Sequence, residues 1–183
     1  MAEVVRRMGG RKMSRLLQFF AVIAVVFDFN PAVAENWAVY RPQGIGFSIE
    51  MPERWTVTTR DDQTAAGSVK AYVASAETAS AIFTAEYAAH PEVRGKAVSL
   101  LLDGARNGAV ENVNGKLRSE DQILISNLPG RQIIIDAPQE IVIVARFFLL
   151  DYTLIGALVT GFRGVELEPN TKRFLDSMQV VPK

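Results

Sequence analysis

The chain has 183 residues, with 20 basic and 20 acidic side chains, one histidine and no cysteine. The missing cysteine excludes disulfides, thiolate metal sites, a cysteine nucleophile and an acylated N-terminal cysteine. The even charge balance lacks the basic surplus that a nucleic-acid or anionic-membrane partner calls for.

In chain order, the first segment reads as an export signal. Arg6, Arg7, Arg11, Lys12 and Arg15 form a basic region ahead of the apolar run Leu16–Phe27, and Ala32-Val33-Ala34 supplies the small residues of a cleavage site. Cleavage is expected between Ala34 and Glu35, whether translation starts at Met1 or Met13. The expected product is exported, periplasmic or extracellular, with no stable membrane anchor. Removing residues 1–34 takes five basic and two acidic side chains and leaves a formal charge of −3.

Residues 35–43 read as a short polar lead containing Trp37 and Tyr40, and residues 44–183 as a single domain. Within it, Gly44–Met51 alternates Ile45, Phe47, Ile49 and Met51 with polar or small residues, the period of a half-buried strand. Pro52–Trp55 is an exit turn, and 60–67 a polar loop. Ser68–Ser75 and Ala81–Ala89 are strands with one face expected to be solvated. From Pro91 to about Val113, Val98, Leu101, Leu102, Ala105 and Ala109 recur at helical spacing, and Asn114-Gly115 is the stop.

Two further strands are expected at Lys116–Ser126 and Arg131–Ala137, with Asn127-Leu128-Pro129-Gly130 as the turn between them. Ile141–Phe162 is the most apolar stretch after the signal. As a membrane helix it would carry Arg146 and Asp151 near mid-bilayer, at about 2.5–3.5 kcal/mol each. Its Val, Ile, Phe, Tyr and Thr residues suit a pleated sheet, so it is read as a central hairpin turning near Asp151. Pro169 opens a short last helix to about Ser177, and Val180-Val181 forms a closing strand.

Three stretches resemble the PsbP-like superfamily: Gly46-Phe47-Ser48-Ile49-Glu50-Met51-Pro52 leading to Trp55, Leu128-Pro129-Gly130-Arg131 ahead of the apolar hairpin with Tyr152, and Phe174-Leu175-Asp176-Ser177-Met178-Gln179-Val180. The resemblance implies an α+β fold, an antiparallel sheet flanked by helices as an α/β/α sandwich. It also implies a non-catalytic accessory role played through protein contacts, with an unidentified partner in the cell envelope. It carries over no functional residue.

The residues themselves advertise little chemistry. His90 is the sole candidate general base, and Ser48 lies inside an alternating strand where it is expected to face solvent. Asp61-Asp62, Glu120-Asp121 and Glu166/Glu168 follow no calcium-loop spacing. No catalytic, cofactor or metal residue is assigned. Trp37, Tyr40, Tyr72, Tyr87 and Arg131 are the candidate interaction surface, because aromatic residues and arginine dominate interface energetics. A hydrolase with an inconspicuous site and a carrier for an apolar ligand are the alternatives to an accessory protein.

Overall fold

The computed structural model describes residues 36–64, 67–90 and 95–181. The expected export signal, its Ala34/Glu35 junction and Pro91 lie outside them, but the helix expected from Pro91 begins only at Val98, because Gly95 takes φ 80° and Ala97 is extended.

Among the described residues, ten strands and two helices follow in order. They are β1 (Trp37–Tyr40), β2 (Phe47–Pro52), β3 (Thr56–Thr64), β4 (Gly67–Glu77), β5 (Ala81–Ala89), α1 (Val98–Asn112), β6 (Lys116–Ile125), β7 (Leu128–Asp136), β8 (Ile141–Leu150), β9 (Thr153–Phe162), α2 (Pro169–Asp176) and β10 (Gln179–Val180). Seven strands form one antiparallel sheet in the order β3-β4-β5-β9-β8-β7-β6, and β1-β2-β10 form a second, small sheet. Helix α1 packs on β7 and β8 from one side. The small sheet, α2 and a 3-10 turn at Val165–Leu167 cover the other.

The β8–β9 hairpin is in place, with β9 the middle strand and Asp151 in the left-handed region at the turn. Among the described residues no helix is long and apolar enough to cross a membrane. Because both sheet faces are covered, the alternation along β8 and β9 feeds two separate cores. Val142, Val144, Phe148, Ile155, Ala157 and Val159 meet Phe47, Ile49, Met51 and Phe174 on the small-sheet side. Ile143, Ala145, Phe147, Leu154 and Leu158 meet Leu101, Leu102, Ala105 and Ala109 of α1 on the other.

Four further local expectations change. The lead 35–43 contains β1, which pairs residue for residue with β2 from Trp37↔Pro52 to Tyr40↔Ile49. Residues 60–64 and Gly67 are paired in a long hairpin where a loop was expected. Their charges are met within that hairpin: Arg60 binds Asp62, and Asp61 pairs with Lys70 across the strands. Polar residues are also the ordinary furnishing of an edge strand. Strand β5 has no solvated face, because it lies between β4 and β9 and is buried along almost its whole length.

The fourth change concerns the β6–β7 turn. It is made by Ser126 and Asn127, at φ 49° and 67°, while Leu128, Pro129 and Gly130 already pair with Ile125, Leu124 and Ile123. A two-residue type I′ turn, whose twist matches the strands, has positive φ at both central residues, and asparagine tolerates it better than most. At the other helix boundary the stop holds: Asn114 takes φ 48°, and the Gly115 N–H donates to the Val110 carbonyl at 3.0 Å.

Candidate functional site

Five aromatic rings run from the small sheet to the outer strands of the large one. Trp55 meets Tyr40 edge-on at 5.8 Å, Tyr40 meets Phe47 at 6.3 Å, and Phe47 meets Tyr87 at 6.0 Å. Tyr87 then stacks on Tyr72 at 5.0 Å with only 10° between the ring planes. The register explains the last contact, because Tyr72 of β4 and Tyr87 of β5 are direct cross-strand partners. Directly opposed aromatic pairs stabilise a sheet by about 0.2–1 kcal/mol.

The run changes character along its length. Phe47 is wholly buried and anchors it to the core, whereas Tyr72 is 37% exposed at the outer end. Val57, 53% exposed, lies diagonally from Tyr72 on β3 and extends the apolar surface. Burial, with Tyr87 adding a like charge, pushes the Tyr40 phenol up to about 12. Burial also raises Tyr87, with Tyr72 adding to it. At neutral pH these hydroxyls carry their protons.

Of the five residues singled out in the sequence, Tyr40, Tyr72 and Tyr87 come together in this run. Trp37 shares their side of the large sheet but sits apart, edge-on to Phe83 at 5.4 Å with the Arg173 guanidinium 4.5 Å above its ring. Arg131 lies on the opposite side. It is 7% exposed and bound to Glu120 of β6 and Asp103 of α1 at 3.0 and 3.4 Å. Its place in the alternation of β7, two residues before the α1-facing Ile133, sends it there. Trp55 and Val57 belong to this face, and the buried Phe47 to the run of rings behind it, without having been assigned to it. Their signals were the alternation of β2 and the Thr-Val-Thr pattern that opens β3.

The other polar candidates do not join this run of rings. Ser48 is fully buried in β2, correcting the expected solvent exposure, and its Oγ makes no hydrogen bond, so it does not engage His90. His90 is buried past the end of β5, its backbone N–H donating to the Tyr152 carbonyl at 2.7 Å. Asp61, Asp62, Glu120 and Glu166 pair with Lys70, Arg60, Arg106 and Arg118, and Glu168 accepts from the Ser80 hydroxyl. Glu86 is a buried acid that the sequence reading passed over, held 3.7 Å from Arg60 on the α1-facing side of β5.

No family model and no curated protein matches this sequence. Among solved structures, the chain is similar to cyanobacterial PsbP from Synechocystis, with a TM-score of 0.56 at 10% identity, over 82% of this chain and 95% of that one. The fold is PsbP-like. A Pseudomonas aeruginosa protein of unknown function also matches, with a TM-score of 0.48 at 12% identity over 80% of this chain and 97% of that one. At such identities the agreement is one of fold. In this PsbP-like frame the rings lie where the small sheet stops and the outer strands of the large sheet begin.

Proposed function

We propose that this PsbP-like protein is a non-catalytic accessory or binding protein of the cell envelope that holds a protein partner on the Trp55–Tyr72 aromatic face. The observation that supports this reading is the Tyr72–Tyr87 stack, exposed at one end and tied through Phe47 to the core at the other. A ring fixed in this way loses little conformational freedom on binding, so more of the burial energy goes into affinity. Tyrosine and tryptophan anchors of this kind carry about 2 kcal/mol or more each in interfaces.

Photo-crosslinking in the native host tests it, with p-benzoylphenylalanine placed at Tyr72 and, as a control, at Leu124, an exposed apolar residue on the far edge strand β6. The expected result is a discrete protein adduct at Tyr72 that is absent at Leu124. Identical or absent adducts at the two sites would remove the reading.

A further inference from the structure

We infer that two copies of this chain pair edge to edge through β3, antiparallel, with Thr58 on the two-fold axis. The inference concerns the rim of the large sheet and stands whether or not the ring face binds a partner.

Among the described residues, β3 is the outermost strand on its side of the seven-stranded sheet, and it meets the rest of the molecule chiefly through β4. An edge strand turns a row of backbone N–H and C=O groups outward, where a second strand can pair with them. Natural edges guard that row with charge, proline, bulges or a cover. The opposite edge, β6, is guarded: it carries Lys116, Arg118, Glu120 and Asp121 and a register break between Leu117 and Ser119. Strand β3 runs in unbroken register from Thr56↔Ser75 to Thr64↔Gly67, and its charges are confined to Arg60, Asp61 and Asp62. Thr56, Val57, Thr58 and Thr59 are all exposed, uncharged and β-branched, a composition that suits strand pairing.

The same four residues favour an identical strand over a foreign one. A foreign strand is selected by pockets that take its alternate side chains, whereas these four side chains stand out in solvent. A second copy needs no pocket, because an isologous contact makes each favourable pair twice.

Symmetry then restricts the register. Directly opposed residues of antiparallel strands point to the same face, so a two-fold axis normal to the sheet passes through a residue and not between two. Centring on Arg60, Asp61 or Asp62 sets a charge against its own copy, which is destabilising. Centring on Thr59 opposes the exposed Val57 to Asp61, and centring nearer either end pairs three residues of β3 at most. Centring on Thr58 pairs Thr56 with Arg60, Val57 with Thr59 and Thr58 with its own copy, free of like charges. Threonine opposite threonine is a stabilising cross-strand pair. Residues 56–60 cover about 17 Å of edge, a short contact beside the standard interface of roughly 1,600 Å². The dimer is therefore weak and concentration-dependent.

The chain has no cysteine, so a single introduced one reports on the pairing. Thr58→Cys, Thr56→Cys and, as a control on the exposed surface of β6, Gln122→Cys are made as the full chain in the native host and oxidised mildly at matched concentration. In the inferred dimer the two Thr58 Cα atoms stand about 4.5–5.5 Å apart, within disulfide reach. The two Thr56 positions lie about 14 Å apart, beyond it. Thr58→Cys is expected to form the covalent dimer about tenfold faster than either of the others. Sedimentation velocity of the parent should show a monomer–dimer equilibrium. Thr58→Lys, which sets two ammonium groups face to face, should leave monomer alone. Equal oxidation rates at the three positions, fastest oxidation at Thr56, or a parent that stays monomeric at its highest soluble concentration overturns the inference. A Thr58→Cys disulfide to a different protein in the host assigns the edge to a foreign strand and also overturns it. None of these readouts involves Tyr72, so this inference and the ring-face reading fail separately.

Discussion

Arg60 Nη2 lies 3.7 Å from Glu86 Oε2, reaching from β3 over the width of β4 to β5. The small Ala71, paired with Arg60 on one side and Ala88 on the other, leaves room for the guanidinium to lie across the sheet. The same guanidinium donates to both oxygens of Asp62, at 2.5 and 3.0 Å. Two acids thus share one cation. Glu86 is only 4% exposed and its Oε1 accepts no hydrogen bond.

A pH dependence follows from that burial. Desolvation raises the Glu86 carboxyl to about 7, against the pull of Arg60 and with Asp62 adding to the rise. Between the ordinary glutamate value of 4.5 and about 7, the folded protein binds a proton that the unfolded chain has released. Glu86 therefore favours the fold fully below pH 4.5, and that contribution is lost as the pH rises to 7, by a total on the order of 3 kcal/mol. Asp136, lowered chiefly by its hydrogen bonds from Arg118, and Asp176, lowered chiefly by Lys172, act in the opposite sense at more acid pH. Urea unfolding from pH 4 to 8 should show stability falling through the Glu86 window. A flat profile from pH 5 to 7.5 would count against the buried acid.

Substituting the two partners separates charge from shape. Glu86→Gln keeps the volume and removes the titration, so its unfolding free energy should be nearly constant from pH 5 to 7.5 and exceed the parent's at pH 8. Arg60→Ala leaves Asp62 and Glu86 without their shared cation, and breaking a buried pair in this way costs about 3–5 kcal/mol. Carbon-13 NMR of the Glu86 carboxyl should show its titration moving higher still in Arg60→Ala. A downward move would mean that Arg60 is not its main counter-charge.

Gly130 bears on the Leu-Pro-Gly segment. A Cβ there would stand 2.8 Å from the Phe147 carbonyl oxygen and 3.3 Å from Ile125 Cδ1. The first of these is backbone of the neighbouring β8 and has little freedom to give way. Gly130→Ala should therefore destabilise the domain by about 1–3 kcal/mol, as overpacking usually does. The measurement is the urea midpoint, compared with Gly164→Ala. There a Cβ meets nothing within 4 Å, and the cost comes from the positive φ of 105° alone.

Much of the architecture could be read from residue order because its signals are local. The β8–β9 hairpin shows in a run of β-branched and aromatic residues broken at Asp151, and α1 ends where Asn114-Gly115 says it should. Pro169 at the first turn marks α2 in the same way. The misread places are those where a partner distant in sequence decides. Leu128-Pro129-Gly130 has the composition of a turn, yet β8 alongside and Ser126-Asn127 just before make it a strand. Residues 60–64 look like a solvated loop until β4 supplies pairing and Lys70 supplies charge.

The candidate face divides along the same line. Tyr72 and Tyr87 were visible as residue types, but their stacking depends on a register set by the 78–80 turn. Arg131 was visible too, and its position in β7 sends it to the α1 side. Glu86 stands in the α1-facing alternation Ile82, Thr84, Glu86, Ala88, where a lone acid among apolar and small residues signals a buried charge. Its partner Arg60 is 26 residues earlier, within the stretch taken for a loop.

Phe83 is where the two sheets and α2 meet. Its ring is fully buried, edge-on to Trp37 of β1 at 5.4 Å and to Phe174 of α2 at 5.3 Å. Truncation removes the shared wall of both contacts, and a buried Phe→Ala change costs about 3–5 kcal/mol. Because β1 and α2 reach the large sheet partly through this ring, the loss should not be spread evenly. Native-state hydrogen exchange of Phe83→Ala should show β1, β2 and α2 amides exchanging much faster, while the β8–β9 amides speed up only in proportion to the loss of global stability. Uniform acceleration across all strands would mean that the small sheet and the large one open as one unit, and that Phe83 acts through overall stability rather than as the joint between them.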